Sequence, residues 1–407
     1  MNDTNKGNRD VQNIMKLASD ENKSNRTSAK ENSAKSKDIK PVYDKSNTFL
    51  KIVSFFVPMK GDGKPEIIRK VVLDVSIIAF IILGCVLISP ILTENVQADV
   101  VDKQIESMYK EEPVVTTSIT TLVATTTVPA EDEDAEPAET TVYEKEPSIQ
   151  ESFAELYETN NDIVGWIRVG RTDDPVINYP VVQAEDNDYY LTHNFLKEEV
   201  KRGAIFADFR NNFDKGSLSG NTVLYGHNMW QGDTMFAKLS RYYDGGVSKG
   251  ESNDYLSFYK EHPTVTFNTL YENAEWKVFA CVLFNTQEEK GEVYPYNHIL
   301  DFANADEFNN FVIDIMDRSV LWTDVDLTYG DSILTLSTCY YPFGKTNADT
   351  RVAVFARKVR PGESTEVDVS KASRNPNPLK FEYQYQVEGG SWDGSVWDKS
   401  HLLSFEE

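Results

Sequence analysis

The sequence predicts a mostly β protein: a closed β-barrel of about eight strands with a few peripheral helices, preceded by one transmembrane helix. Three observations point that way. Short runs rich in Val, Ile, Thr and aromatic residues recur between residues 163 and 359, each bounded by a turn signal. Helical periodicity is confined to a few stretches between them. Ahead of all of these, residues 71–92 form a nearly uninterrupted apolar run, long enough to span a bilayer at roughly 20 residues.

Residues 1–65 are rich in Asn, Ser, Lys and Asp and hold no aromatic residue before Tyr43. Such a composition buries too little apolar surface to offset chain entropy and reads as a disordered segment. Residues 66–94 are the expected anchor. Asp74 falls near its end, at headgroup depth, and Lys60, Lys64, Arg69 and Lys70 precede the span while the residues after Thr93 are acidic. The positive-inside bias then gives a single-pass protein of the cell membrane with its N-terminus cytoplasmic and the rest outside. Residues 95–147 include Thr116-Thr117-Ser118-Ile119-Thr120-Thr121 and Glu131-Asp132-Glu133-Asp134. This acidic, Thr- and Pro-rich composition reads as an extended extracellular stalk.

The globular part occupies residues 148–362. Ile149 to Glu158 is spaced as an amphipathic helix that stops at Asn160-Asn161-Asp162. The strand-type runs are Ile163 to Val169, Val176 to Val182, Ala204 to Ala207, Thr222 to Tyr225, Thr264 to Asn268, Glu275 to Phe284, Ser332 to Cys339 and Arg351 to Arg357. Two helical patterns interrupt them. One runs from Met235 to Tyr243; the other, from Ala305 to Arg318, places Phe308, Phe311, Val312 and Ile315 on one stripe. Residues 363–407 form a C-terminal extension, too aromatic for a pure linker but of unreadable role.

The formal net charge of -24 argues against nucleic acid as a partner. The three cysteines, Cys85, Cys281 and Cys339, make neither a disulfide framework nor a paired metal motif. Cys85 and Cys281 lie in apolar runs, where free cysteine behaves as a small hydrophobe. No cluster of metal ligands or cofactor motif is visible, so neither metal nor cofactor is expected. His193, His262, His298 and His401 read as polar surface or loop residues.

Three residues stand apart. Cys339 ends its strand, and period-two alternation puts it with Thr335 and Ser337 on the face opposite Leu334, Leu336 and Thr338. If this strand and the next form an in-register hairpin, Arg351 opens the return strand beside the thiol. His227 stands where the strand Thr222 to Tyr225 breaks into a loop, a usual setting for a catalytic side chain. A free thiol is mostly protonated at neutral pH and needs a nearby cation or base to become a nucleophile. His227 supplies a base, and Arg351 suits the oxyanion of a tetrahedral intermediate. Together they equip the chain for acyl transfer through a thioester.

The same residues carry a resemblance. Thr335-Leu336-Ser337-Thr338-Cys339, Arg351-Val352-Ala353-Val354 and Leu224-Tyr225-Gly226-His227, supported by Val164-Gly165-Trp166-Ile167 and Asn178-Tyr179-Pro180-Val181-Val182, resemble the sortase transpeptidases of Gram-positive bacteria, class B in particular. The resemblance covers about residues 148–360 and implies a sortase-type barrel and a cysteine transpeptidase with Cys339 as nucleophile, His227 as acid and base, and Arg351 as stabiliser of substrate and oxyanion. It implies substrates that are secreted proteins with a C-terminal sorting signal, and an acceptor that is an amine of peptidoglycan or its precursor. It places Asn187, Leu191, Tyr294, Ser337 and Thr338 along the substrate groove. Some class B members follow the cysteine with an acidic residue, whereas this chain has Tyr340-Tyr341. A hydrolase that does not transfer, and a non-catalytic peptide-binding or assembly protein, are the competing readings.

Overall fold

In a computed structural model, the described residues are 53, 55–58, 61–110, 148–230, 232–246 and 254–404, with the side chains of 87–96 left out. The chain divides into two units, Met1–Val96 and Gln97–Glu407. The segment expected to be disordered falls almost wholly outside the described residues, as does the expected stalk from residue 111 to 147.

Helix α1 spans Lys64–Met108. Within the first unit its apolar side chains are exposed at almost every position, Ile68, Val72, Val75, Ile78, Phe80, Ile81, Ile82, Leu83 and Val86 among them. Among the described residues, no helix is long and apolar enough to cross a membrane. The expected span reaches Leu92, and its side chains beyond Val86 are not described.

The second unit begins with the rest of that helix, so the expected stalk does not start at residue 95. Val101, Ile105 and Met108 recur at helical spacing and pack into a cluster with Phe153, Leu156, Trp166, Tyr190 and Phe195. Asp102 pairs with Arg202 at 2.6 Å, and Tyr109 stacks on Trp166 with ring centroids 4.5 Å apart. An apolar stripe with something to bury it against makes a docked helix out of what composition alone reads as tether.

The strands are β1 (Ile163–Arg171), β2 (Asp174–Val182), β3 (Ile205–Ala207), β4 (Asn221–Tyr225), β5 (Asn228–Met229), β6 (Thr234–Met235), β7 (Thr264–Thr269), β8 (Glu275–Asn285), β9 (Leu321–Trp322), β10 (Ile333–Cys339), β11 (Thr350–Lys358) and β12 (Ser373–Arg374). Eight of them close the barrel in the order β1-β2-β3-β4-β10-β11-β8-β7. Pairs β5/β6 and β9/β12 stand outside it. The eight barrel strands correspond to the eight runs picked out by alternation and turn residues.

Further helices are α2 (Ala154–Thr159), α3 (Arg241–Asp244), α4 (Tyr255–Glu261), α5 (Ala305–Arg318) and α6 (Glu382–Glu388). The helix expected from Met235 starts later, because Asp233 and Met235 take positive φ (60° and 56°) in the β5/β6 hairpin. Helix α5 has the predicted limits, capped by Asn304, whose side chain accepts from the Glu307 N–H at 3.0 Å.

Two cores follow from the alternation. Leu334, Leu336, Val352 and Val354 point into the barrel against Ile167, Val169, Phe267 and Trp276. Ile333, Ala353 and Phe355 point outward and are covered by Phe308, Phe311, Val312 and Ile315 of α5. The extension after β11 is laid on the barrel: β12 pairs with β9, Leu402 bridges Leu327, and Phe381, Trp397 and Leu402 are buried.

That extension is fastened at its root by charge. Arg357, fully buried, donates to both oxygens of Glu363 at 2.6 and 2.7 Å, and Lys277 donates to the same carboxylate at 2.6 Å. The Arg357 hydrogen bond, against the opposing effect of burial and with help from Lys277 and the Arg360 N–H, holds the Glu363 carboxyl far below the usual range. A depressed carboxylate contributes stability that is complete above its unfolded pKa and is lost as pH falls through the folded value. Glu363→Gln is therefore expected to cost about 2 kcal/mol at neutral pH, by leaving the buried Arg357 with only its longer, 3.3 Å contact to Asp326 as counter-charge. Urea denaturation should show the gap between wild type and variant shrinking as the pH drops below about 4.

Candidate active site

Strand β10 positions the thiol. It pairs antiparallel with β11, Cys339 opposite Arg351, and parallel with β4, Ser337 opposite Tyr225. Directly opposed residues share a face, so Cys339 and Arg351 emerge side by side from the outer face of the barrel. Cys339 is partly exposed, whereas Cys281 is fully buried and its thiol is pushed well up by desolvation.

The histidine is brought in by the same strand end. The Gly226 N–H donates to the Ser337 carbonyl at 3.3 Å, and the Thr338 hydroxyl donates to the Gly226 carbonyl at 2.6 Å. Residue 226 must be glycine for this approach, since a Cβ there would run into Ile205 and the Phe236 ring. His227 is held by its carbonyl, which accepts from the Phe236 N–H at 3.0 Å, and by its ring. Its Nε2 lies 2.8 Å from the Leu191 carbonyl, which can only accept, so the proton sits on Nε2 and Nδ1 of the neutral ring is the atom able to take one up. Asn228 closes the arrangement by donating to the Cys339 carbonyl at 2.7 Å.

Arg351 is aimed by Asp349, which accepts from its Nη1 at 2.6 Å. Burial works against the guanidinium charge, but the Asp349 hydrogen bond and the fields of Cys339 and Asp349 outweigh it and raise its pKa. Burial likewise would raise the Asp349 carboxyl, yet the hydrogen bond and charge of Arg351 hold it below the usual range. Tyr341 is raised by burial first, then by hydrogen-bond and charge interactions with the Cys339 sulfur. The thiol thus faces a guanidinium and a phenol, both suited to a sulfur or oxygen that carries negative charge.

The residues expected along the groove divide. Leu191 contributes its backbone carbonyl to the histidine. Ser337 and Thr338 are buried, their hydroxyls committed to Tyr296 and Gly226. Asn187 is occupied at both ends of its amide, donating to Asp208 at 3.0 Å and accepting from the Phe209 N–H at 3.0 Å. Asp208 is completely buried; desolvation would raise its carboxyl, but bonds from Arg210, Asn187 and Tyr225 keep it below the usual range. Tyr294 bonds Asp314 of α5 and lies under Arg318. The tyrosine against the cysteine strand is Tyr296, its hydroxyl 2.7 Å from Ser337 and its pKa pushed up to about 12 by burial. The sequence reading gives no site role to Tyr296, Asp349 or Asn228, and Tyr341 enters it only as a departure from the class B pattern. Asp349 and Asn228 are near neighbours of Arg351 and His227 in the chain, a signal available there.

Among the described residues, no group of three His, Cys, Asp or Glu side chains could hold a metal ion. A thiol, an imidazole and a guanidinium at neighbouring ends of barrel strands define an enzyme that works through a cysteine nucleophile.

Comparison with known proteins narrows this class. The family model for the sortase domain matches residues 167–359. The chain is 34% identical over 215 residues to sortase B of Staphylococcus aureus, covering 52% of this chain and 76% of that protein. It is 33% identical over 191 residues to sortase B of Listeria monocytogenes, covering 47% and 68%. The crystal structure of sortase B from B. anthracis in complex with AAEK1 aligns with a TM-score of 0.47 at 29% identity, over 66% of this chain and 99% of that one. The chain belongs to the sortase family, in its class B branch, and is a cysteine transpeptidase.

Removing the charge beside Arg351 tests its alignment. Asp349→Asn replaces a charge-assisted hydrogen bond by a neutral one, and kcat/KM for a peptide substrate is expected to fall about tenfold, the equivalent of ~1.4 kcal/mol. Asp349→Glu should restore part of it, measured on the same peptide.

Proposed function

We propose that this protein is a membrane-anchored transpeptidase that cleaves a C-terminal sorting motif of secreted proteins and joins the new carboxyl to an amine of the cell wall. The observation that carries it is the cross-strand pair Cys339 and Arg351, with Gly226-His227 hydrogen-bonded to the same strand end. The Cys339 thiol passes its proton to His227, the thiolate attacks the scissile carbonyl, and Arg351 lies on the side where the oxyanion develops. His227 gives a proton to the leaving amine; the thioester remains on Cys339. An incoming amine then attacks the thioester, loses its proton to His227 and leaves with the acyl group.

Anchoring is supported by the apolar run 71–92, by the exposure of its side chains as far as Val86, and by the basic residues that precede it. In this reading the N-terminus is cytoplasmic and the barrel faces outward, where its substrates and the wall are found. After carbonate washing, the full chain should stay with the membrane fraction, while a chain starting at Gln97 should be released.

A library of quenched pentapeptides, including NPxTx and LPxTx sequences, tests the chemistry. Wild type is expected to cleave one class of motif and, when triglycine is added, to form the amide product. Cys339→Ala should abolish both reactions, and Arg351→Ala should lower kcat/KM by about 10²–10³-fold. Cleavage that persists in Cys339→Ala would overturn the reading, and cleavage without any amide product would make the enzyme a hydrolase.

A further inference from the structure

Two loops flank the thiol. One joins Cys339 to Arg351 and carries Tyr341, Phe343 and Asp349; the other leaves β8 and runs through residues 286–292. They are tied together: the Thr286 N–H and hydroxyl donate to the Asp349 carbonyl at 3.1 and 2.9 Å, and the Asp349 N–H donates to the Gln287 side chain at 2.8 Å.

The C-terminal extension grips both loops with three consecutive residues. Phe381 and Tyr383 meet the Phe343 ring edge-on, centroids 6.2 and 6.0 Å away. Glu382 accepts from the Glu292 N–H at 2.9 Å. Its carboxylate occupies the space a side chain on residue 291 would take, which is why that position, at φ 122°, is glycine. Lys290 places its ammonium 4.3 Å from the centre of the Tyr383 ring. The segment is held in turn by Gln384, which donates to the hydroxyl of the half-buried Tyr243 at 3.0 Å, and by the pair Lys380 and Glu388 at 2.9 Å.

We propose that Phe381, Glu382 and Tyr383 are positioning residues for the active site: they fix the loops that set Arg351 and Tyr341 against Cys339. The extension is then a working part of the catalytic unit. This rests on the transpeptidase reading for its effect on turnover, but not for its effect on the loops. Phe343 is the side chain at the loop's tip on which both rings converge, so losing them loosens the loop there. Arg351 then spends less of its time aligned, and the effect falls on kcat more than on KM.

The test uses the full chain carrying Phe381→Ala with Tyr383→Ala, the conservative Phe381→Leu with Tyr383→Phe, and Val387→Ala as a control on the exposed face of α6. Amide hydrogen exchange, the rate of Cys339 alkylation by iodoacetamide read by peptide mass spectrometry, and kcat and KM on the selected peptide are measured. The double alanine variant is expected to exchange at least tenfold faster across 286–292 and 340–349 while β10 and β11 stay protected. Its Cys339 alkylation rate should change severalfold, and its kcat should fall about tenfold with KM within twofold. The conservative pair should recover most of the loss and Val387→Ala should match wild type. Unchanged exchange in both loops overturns the proposal, and so does faster exchange spread over the whole barrel. An inactive wild type would sink the transpeptidase reading, and exchange with alkylation would still decide the brace.

Discussion

The pairing of β10 with its two neighbours is the constraint on which the rest depends. Antiparallel register with β11 sets Cys339 against Arg351, and parallel register with β4 delivers Gly226 and His227 to the same place. A slip of one residue would send the thiol into the barrel and its leucines onto the opposite face. Register is protected by burial on both faces: Leu334 and Leu336 are locked into the interior, while Ile333 lies under α5. A strand buried on both sides cannot slide without exposing apolar side chains, at roughly 1.5–3 kcal/mol for each large one. The geometry of the chemistry is thus maintained by packing that takes no part in it.

Polar groups around the site are used in a second, complementary way. Ser337, Thr338, Asn187 and Asp208 are buried or saturated with internal bonds: Thr338 ties the cysteine strand to the Gly226 carbonyl beside His227, Ser337 ties it to Tyr296, and Asn187 and Asp208 hold one another together with Arg210 and Tyr225. Groups with charge left to offer stand at the rim. Arg351, pinned on one side by Asp349 at 2.6 Å, is the clearest of these.

Much of this was legible in the sequence because alternation and helical periodicity are local properties. The eight barrel strands, the limits of α5, and the juxtaposition of Cys339 with Arg351 all follow from spacing along short segments and from one hairpin. The docked end of α1 was not legible: Val101, Ile105 and Met108 make a stripe, but only the surface formed by Trp166, Tyr190 and Phe195 gives it a reason to fold there. The choice between Tyr294 and Tyr296 was likewise closed, since residues two apart in an irregular loop can face either way. The extension after β11 showed itself only as a cluster of aromatic residues without a partner.

By itself, then, the sequence determined which segments are strands, which face of each is apolar, and which three side chains have the chemistry for acyl transfer. Those are consequences of side-chain type and of a period of two, and they need no knowledge of distant residues. The tertiary structure alone decided that β4 lies parallel to β10, that Asp349 aims the arginine, and that residues 381–383 close over the loops around the thiol. Contacts between segments more than a hundred positions apart, as between Gly226 and Thr338, depend on how the barrel closes, and no local pattern encodes that closure.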